Sequence, residues 1–97
     1  MKQTQYNFFI GHNNKTKKCE YRKAERVFLR YNVNGFSVVK NIKGYWESKT
    51  ERSFKIEVVA NEFNPFNDTN AKNIKTALEK ELKQFLVLTT KQEIQIL

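Results

Sequence analysis

The residues with the strongest claim on chemistry are cations. Lys15, Lys17 and Lys18 crowd the segment Gly11-His12-Asn13-Asn14-Lys15-Thr16-Lys17-Lys18, and Arg22, Arg26 and Arg30 follow at four-residue intervals. Side chains four apart share one face of a helix. A guanidinium grips a phosphate or carboxylate with two parallel hydrogen bonds, so a stripe of three arginines beside a lysine-rich loop points to anion recognition. Backbone N–H groups at the start of that helix would add to it. The segment differs from a nucleotide-hydrolase loop where it matters. Thr16 replaces the second glycine, and Lys17-Lys18 stand where Lys-Ser/Thr is required. Anion holding without hydrolysis is the expectation, and a solvated basic loop with an ordinary polar helix face is its alternative.

Groups for catalysis are missing. Cys19 is the only cysteine and His12 the only histidine, so neither an internal disulfide nor a cysteine–histidine pair in a recognisable motif is available. The acids are Asp68 and nine glutamates, none paired by a general acid–base motif. The sequence therefore predicts no catalytic residue, no metal site and no cofactor.

Charge sharpens the reading of the partner. Residues 1–50 carry eleven Lys/Arg against Glu20, Glu25 and Glu47, while residues 51–97 carry seven of each sign, so the whole net charge of +8 lies in one half. A one-sided positive field favours anionic partners, here nucleic acid or a phosphate-bearing nucleotide. The abundance of Asn, Lys, Ile and Phe also fits an AT-rich coding bias, under which some lysines would have no binding role. No apolar run approaches the ~20 residues a membrane helix needs. No secretory leader precedes the first strand, so a cytoplasmic location is expected.

The elements that must position these cations can be read from periodicity. Residues 5–11 form an aromatic-rich first strand. Tyr21, Ala24, Val27, Phe28 and Tyr31 recur at helical spacing within Thr16–Tyr31, and Asn32-Val33-Asn34-Gly35 ends that helix. Phe36–Trp46 and Arg52–Ala60 make a hairpin joined by residues 47–51, with a bulge or bend expected at Gly44. A loop around Pro65 follows, its Phe63 and Phe66 expected to pin it to the body. Asn67 or Asp68 caps a second helix with the stripe Ala71, Ile74, Ala77, Leu78, Leu82 and Phe85, and with Glu79 facing Lys83. Leu86–Leu97 supplies the last strand, with an interruption near Lys91.

This order predicts a single α+β domain over 1–97. Its form is ferredoxin-like βαββαβ, a four-stranded antiparallel sheet with two helices on one face. The other face is then open, and must be polar, bind a ligand or meet a second subunit. Phe8-Phe9-Ile10-Gly11 resembles the first signature strand of RNA-recognition motifs, but Arg52-Ser53-Phe54-Lys55-Ile56-Glu57-Val58 does not supply the second. Facing Phe54 and Ile56 outward would bury Lys55 and Glu57, so Phe54, Ile56 and Val58 are assigned to the core and the open face is expected to be charged.

Tyr45-Trp46 before Glu47, followed by a turn and the strand Glu51 through Val59, resembles the hairpin of the trimeric PII-like and divalent-cation-tolerance proteins. That resemblance implies a homo-oligomer whose hairpins and open sheet faces make subunit contacts and whose intersubunit clefts bind small ligands. The combined expectation is a non-catalytic, oligomeric binding protein. It would recognise an anionic ligand through Lys15, Lys17, Lys18, Arg22, Arg26, Arg30, Tyr45 and Trp46. The alternative is a phage or mobile-element protein that inhibits a host protein, with a small enzyme third.

Overall fold

The computed structural model describes residues 2–95, with every side chain among them except those of Lys2 and Trp46. Six elements follow in the order β1 (Lys2–Gly11), α1 (Tyr21–Arg30), β2 (Ser37–Trp46), β3 (Lys49–Ala60), α2 (Asp68–Glu81) and β4 (Leu88–Gln95). The strands form one antiparallel sheet in the order β2-β3-β1-β4, the ferredoxin-like arrangement. Residues 96 and 97, assigned to the last strand from sequence, lie outside the described residues.

The core follows from strand alternation. Tyr6, Phe8 and Ile10 of β1 and Phe54, Ile56 and Val58 of β3 point to one side and are buried under Ala24, Val27 and Phe28 of α1 and Ala71, Ile74 and Leu78 of α2. The Phe8 ring meets Phe28 edge to face at 5.0 Å between centroids, and Phe66 packs its ring against Tyr6 at 5.0 Å. Phe66 thus pins its loop as expected. Phe63 does not, because it is 80% exposed.

Helix ends explain the boundaries that differ from expectation. Helix α1 starts at Tyr21 rather than Thr16, because residues 13–18 close on themselves in hydrogen-bonded turns. It ends at Arg30 and is closed by Asn32, whose φ of 60° lets Val33 N–H reach the Phe28 carbonyl at 3.1 Å while the Asn32 N–H reaches the Leu29 carbonyl at 3.0 Å. Asn67 caps α2 by accepting from Asn70 N–H at 2.9 Å, and the Asn70 side chain accepts from Asn67 N–H in return. That helix ends at Glu81. Lys83 takes up the left-handed conformation with φ 54°, allowing Gln84 N–H to bond the Glu79 carbonyl at 2.9 Å. Glu79 therefore pairs with Lys75 at 2.6 Å, not with Lys83. Phe85 leaves the apolar stripe and is fully exposed.

Two details of the hairpin also depart from expectation. The irregularity in β2 falls between Val39 and Ile42, where Asn41 has φ 61°, while Gly44 stays in register opposite Glu51. The turn is only Glu47-Ser48, both with positive φ. Strand β4 runs through Lys91 without a break.

Candidate functional site at one end of the sheet

Gly11 closes β1 where the β1–α1 loop and the α2–β4 loop meet the Glu51–Ser53 stretch of β3. Its N–H donates to Gln84 Oε1 at 3.2 Å, Gln84 Nε2 donates to the His12 carbonyl at 3.4 Å, and His12 N–H donates to the Arg52 carbonyl at 3.2 Å. A Cβ on Gly11 would stand 2.5 Å from Glu51 Oε1, so a side chain here would displace the carboxylate that lies over this strand end.

Three adjoining clefts follow the meeting point. One of ≈ 350 Å³ is lined by Phe9, Tyr45, Glu51, Gln84, Leu86 and Leu88. A second of ≈ 550 Å³ shares Glu51, Gln84 and Leu86 and adds His12, Asn14, Lys83 and Phe85. A third of ≈ 220 Å³ shares Asn14 and Lys83 and reaches Lys15. Together they make a groove with an aromatic and aliphatic end at Tyr45, which is 71% exposed, and a cationic end at Lys15 and Lys83. Lys43 Nζ sits 5.5 Å from the Tyr45 ring centroid, adding a cation to the apolar end.

The basic loop presents side chains rather than backbone. Asn13 Oδ1 accepts from Lys15 N–H at 2.8 Å and Thr16 N–H at 3.1 Å, the Asn13 carbonyl accepts from Lys17 N–H at 2.7 Å, and Thr16 Oγ1 accepts from Lys18 N–H at 3.3 Å. All four N–H groups of residues 15–18 are thereby spent, so an anion here meets ammonium groups only. Glu20 stands at the entrance of α1. A hydrogen bond from Asn13 Nδ2 at 3.0 Å, then the Lys23 ammonium at 2.9 Å, hold its carboxyl below the usual range. A carboxylate already beside the helix N-terminus opposes a second anion there.

The residues singled out by sequence are therefore divided. Lys15 and Tyr45 line the groove, and Lys17 and Lys18 are exposed on the same loop. Arg22 and Arg26 are exposed on α1 with no carboxylate within ion-pairing distance among the described residues. Arg30 lines a different cleft between the helices, beside Tyr31, Lys80 and Glu81, and is ion-paired to Glu81. The Trp46 side chain lies outside the described residues. Sequence reasoning missed Phe9, Glu51, Lys83, Gln84, Leu86 and Leu88. A signal existed only for the pair Phe9 and Leu88, which are register partners on the open face.

That open face is mixed rather than charged. Lys55 pairs with Glu57 at 2.8 Å and lies 5.8 Å over the Phe9 ring, while Val39 and Leu88 are exposed apolar neighbours. Asn7 is buried on it, accepting from Gln5 Nε2 at 2.8 Å and donating to Thr90 Oγ1 at 3.4 Å. Among the described residues no group of three or more His, Cys, Asp or Glu is placed to hold a metal ion, and no helix is long and apolar enough to cross a membrane.

No protein-family model matches the sequence, and no curated protein matches it. Solved structures do match. The nitrogen regulatory PII-like protein CPII from Thiomonas intermedia, determined with ADP, AMP and bicarbonate, superposes with a TM-score of 0.64 at 12% identity, over 99% of this chain and 96% of that one. CutA1 from Oryza sativa gives 0.60 at 11% identity over 95% and 81% of the two chains. A DUF3240 family protein from Shewanella baltica gives 0.57 at 18% identity over 96% and 89%. At such identities the likeness establishes a shared fold, the one anticipated from the hairpin and the element order.

Proposed function

We propose that this chain is a non-catalytic binding protein that associates with copies of itself and holds an anionic, nucleotide-like ligand in the groove at the Gly11 end of the sheet. The observation that carries the reading is the continuity of that groove, from the exposed Tyr45 ring to the Lys15 and Lys83 ammonium groups. A base can stack on an aromatic face, and phosphates gain from nearby ammonium groups once partly removed from water. Among the lining residues of the groove Glu51 is the one carboxylate and His12 the one imidazole. The similarity in fold to a PII-like protein determined with ADP and AMP supports the choice of an adenine nucleotide as first ligand.

Self-association rests on the exposed apolar residues beside the groove. Phe85, Leu86 and Leu88 are each more than half exposed, and a second copy seated against them would remove that surface from water and wall the groove. The test is calorimetric titration with ADP. Saturable binding that weakens as salt rises is the expected result, since the phosphate end is a cluster of cations. ADP that fails to bind at low salt sinks the reading.

A further inference from the structure

A separate hollow of ≈ 380 Å³ lies between α2 and the edge strand β4, and no residue lines both it and the groove. Its floor is the Tyr6 ring and Ala71, both buried. Its rim carries Asp68, Lys72, Lys75 and Lys91. The polar groups of the floor are already satisfied. Tyr6 O–H donates to Asp68 Oδ1 at 2.7 Å, and the same carboxylate holds the Lys91 ammonium at 2.9 and 3.1 Å. Lys75 is committed to Glu79 at 2.6 Å. Lys72 is exposed, and among the described residues no carboxylate lies within ion-pairing distance of it.

Three ammonium groups and one carboxylate thus border a hollow whose base offers an aromatic ring and a methyl group. With Lys75 paired to Glu79 and Lys91 to Asp68, Lys72 is the one rim cation left unpaired among the described residues, and it favours an anion over a cation. An inorganic anion would use the rim and leave the base bare, whereas an organic anion would use both. The geometry points to a binding site for a small amphiphilic organic anion, an aryl or medium-chain alkyl carboxylate or sulfonate, in the hollow between α2 and β4. Its apolar body lies on Tyr6 and Ala71, and its anionic head meets Lys72, with the Lys91 ammonium already held by Asp68.

The site stands independently of the nucleotide-like reading, and the experiment separates them. The full chain is titrated with anilinonaphthalenesulfonate and followed by amide NMR. Saturable shifts should centre on Ala71, Lys72 and residues 89–91. Lys72→Glu changes an exposed side chain away from caps and core and should leave the fold intact while weakening the probe roughly tenfold, the scale of one lost charged contact. Lys80→Glu, on the same helix but at the seam with α1, should not weaken it. Neither saturating ADP nor inorganic phosphate should displace the probe. Shifts confined to residues 85–88, or unchanged affinity in Lys72→Glu, would overturn the site. Displacement by ADP would reassign the hollow to nucleotide, and displacement by phosphate would remove the role given to its apolar base.

Discussion

The Arg30 guanidinium of α1 meets the Glu81 carboxylate of α2 across the seam between the helices, with Nη1 donating to Oε1 at 3.1 Å. The pairing raises the Arg30 pKa and lowers that of Glu81, each chiefly through their shared hydrogen bond. A cation already engaged by a carboxylate adds little to an external anion site. Arg30→Ala should therefore leave ADP affinity within about twofold of the parent, and with both partners exposed it should shift thermal unfolding little. Calorimetry and a melting curve check both. A large loss of affinity would return Arg30 to the binding stripe that its spacing first suggested.

Glu79 has a different standing, because it ties two elements together. Its Oε2 accepts from Lys75 Nζ at 2.6 Å and from Val87 N–H at 2.9 Å, fixing the entry to β4 against α2. Val87 is fully buried, so removing the acceptor strands a backbone donor. Glu79→Ala should cost about 1–3 kcal/mol in urea unfolding. Glu79→Gln, which keeps an acceptor oxygen, should cost less. Equal losses in the two variants would mean that the ion pair with Lys75, not the bond to Val87, holds the loop.

The pH dependence of stability should have two edges. The carboxyls of Glu20, Asp68, Glu79 and Glu81 are all held below their ordinary values by hydrogen bonds and cations, for Asp68 by Lys91 first and then Tyr6. A depressed native pKa contributes stability above the unfolded value and loses it as pH falls through the native one, so stability should decline below about pH 4 to 4.5. Tyr6 is the reverse case. Burial, and then the hydrogen bond to Asp68, push its pKa up to about 12. Its contribution is complete below the unfolded value near 10 and is lost as pH rises toward 12. Tyr6→Phe should flatten the alkaline edge and, by removing one of the hydrogen bonds that hold Asp68 low, weaken the acid one by a smaller amount. Denaturant midpoints across the pH range would show it, and an unchanged alkaline slope in Tyr6→Phe would place that edge elsewhere.

Self-association should depend on Leu88, an exposed aliphatic residue that lies opposite Phe9 on the open face and lines the groove. Leu88→Glu should reduce the sedimenting mass to that of one chain. A parent protein already monomeric at micromolar concentration would contradict the assembly, and an unaltered oligomer in Leu88→Glu would move the interface off this face.

The element order and the core were legible because period-two and helical patterns, once matched to charge, left one way to face β3. Placing Phe54 and Ile56 inward was forced by the cost of burying Lys55 and Glu57. The hairpin turn was illegible because neither Glu47 nor Ser48 is a favoured residue for positive φ, so a five-residue connection was the natural reading. The end of α2 was hidden in the same way. Lys83 closes that helix where Gly or Asn usually does, and this one departure misplaced Phe85 in the stripe and Glu79 in its pairing. The groove was legible only at Lys15 and Tyr45, since its lining comes from β1, the β1–α1 loop, the hairpin and residues 82–88, which only the sheet order brings together.

The sharpest prediction sets the groove cations against the helix cations. Lys15 and Lys83 border the groove, whereas Arg22 and Arg26 project from α1 without lining it. Both pairs lie in the same positive field, so either double change alters long-range attraction, but only the first removes contacts. Asn is the replacement of choice at Lys83, because it tolerates the φ of 54° while deleting the charge. Lys15→Glu with Lys83→Asn should weaken ADP by roughly tenfold or more, as expected for lost charged contacts. Arg22→Glu with Arg26→Glu should weaken it only about twofold to threefold, and that residual effect should vanish at high salt. Tyr45→Ala should weaken ADP at every salt concentration, since stacking is not screened. If the arginine pair proves the more damaging, the ligand sits on α1 as the spacing of its arginines suggested, and the groove loses the role assigned to it.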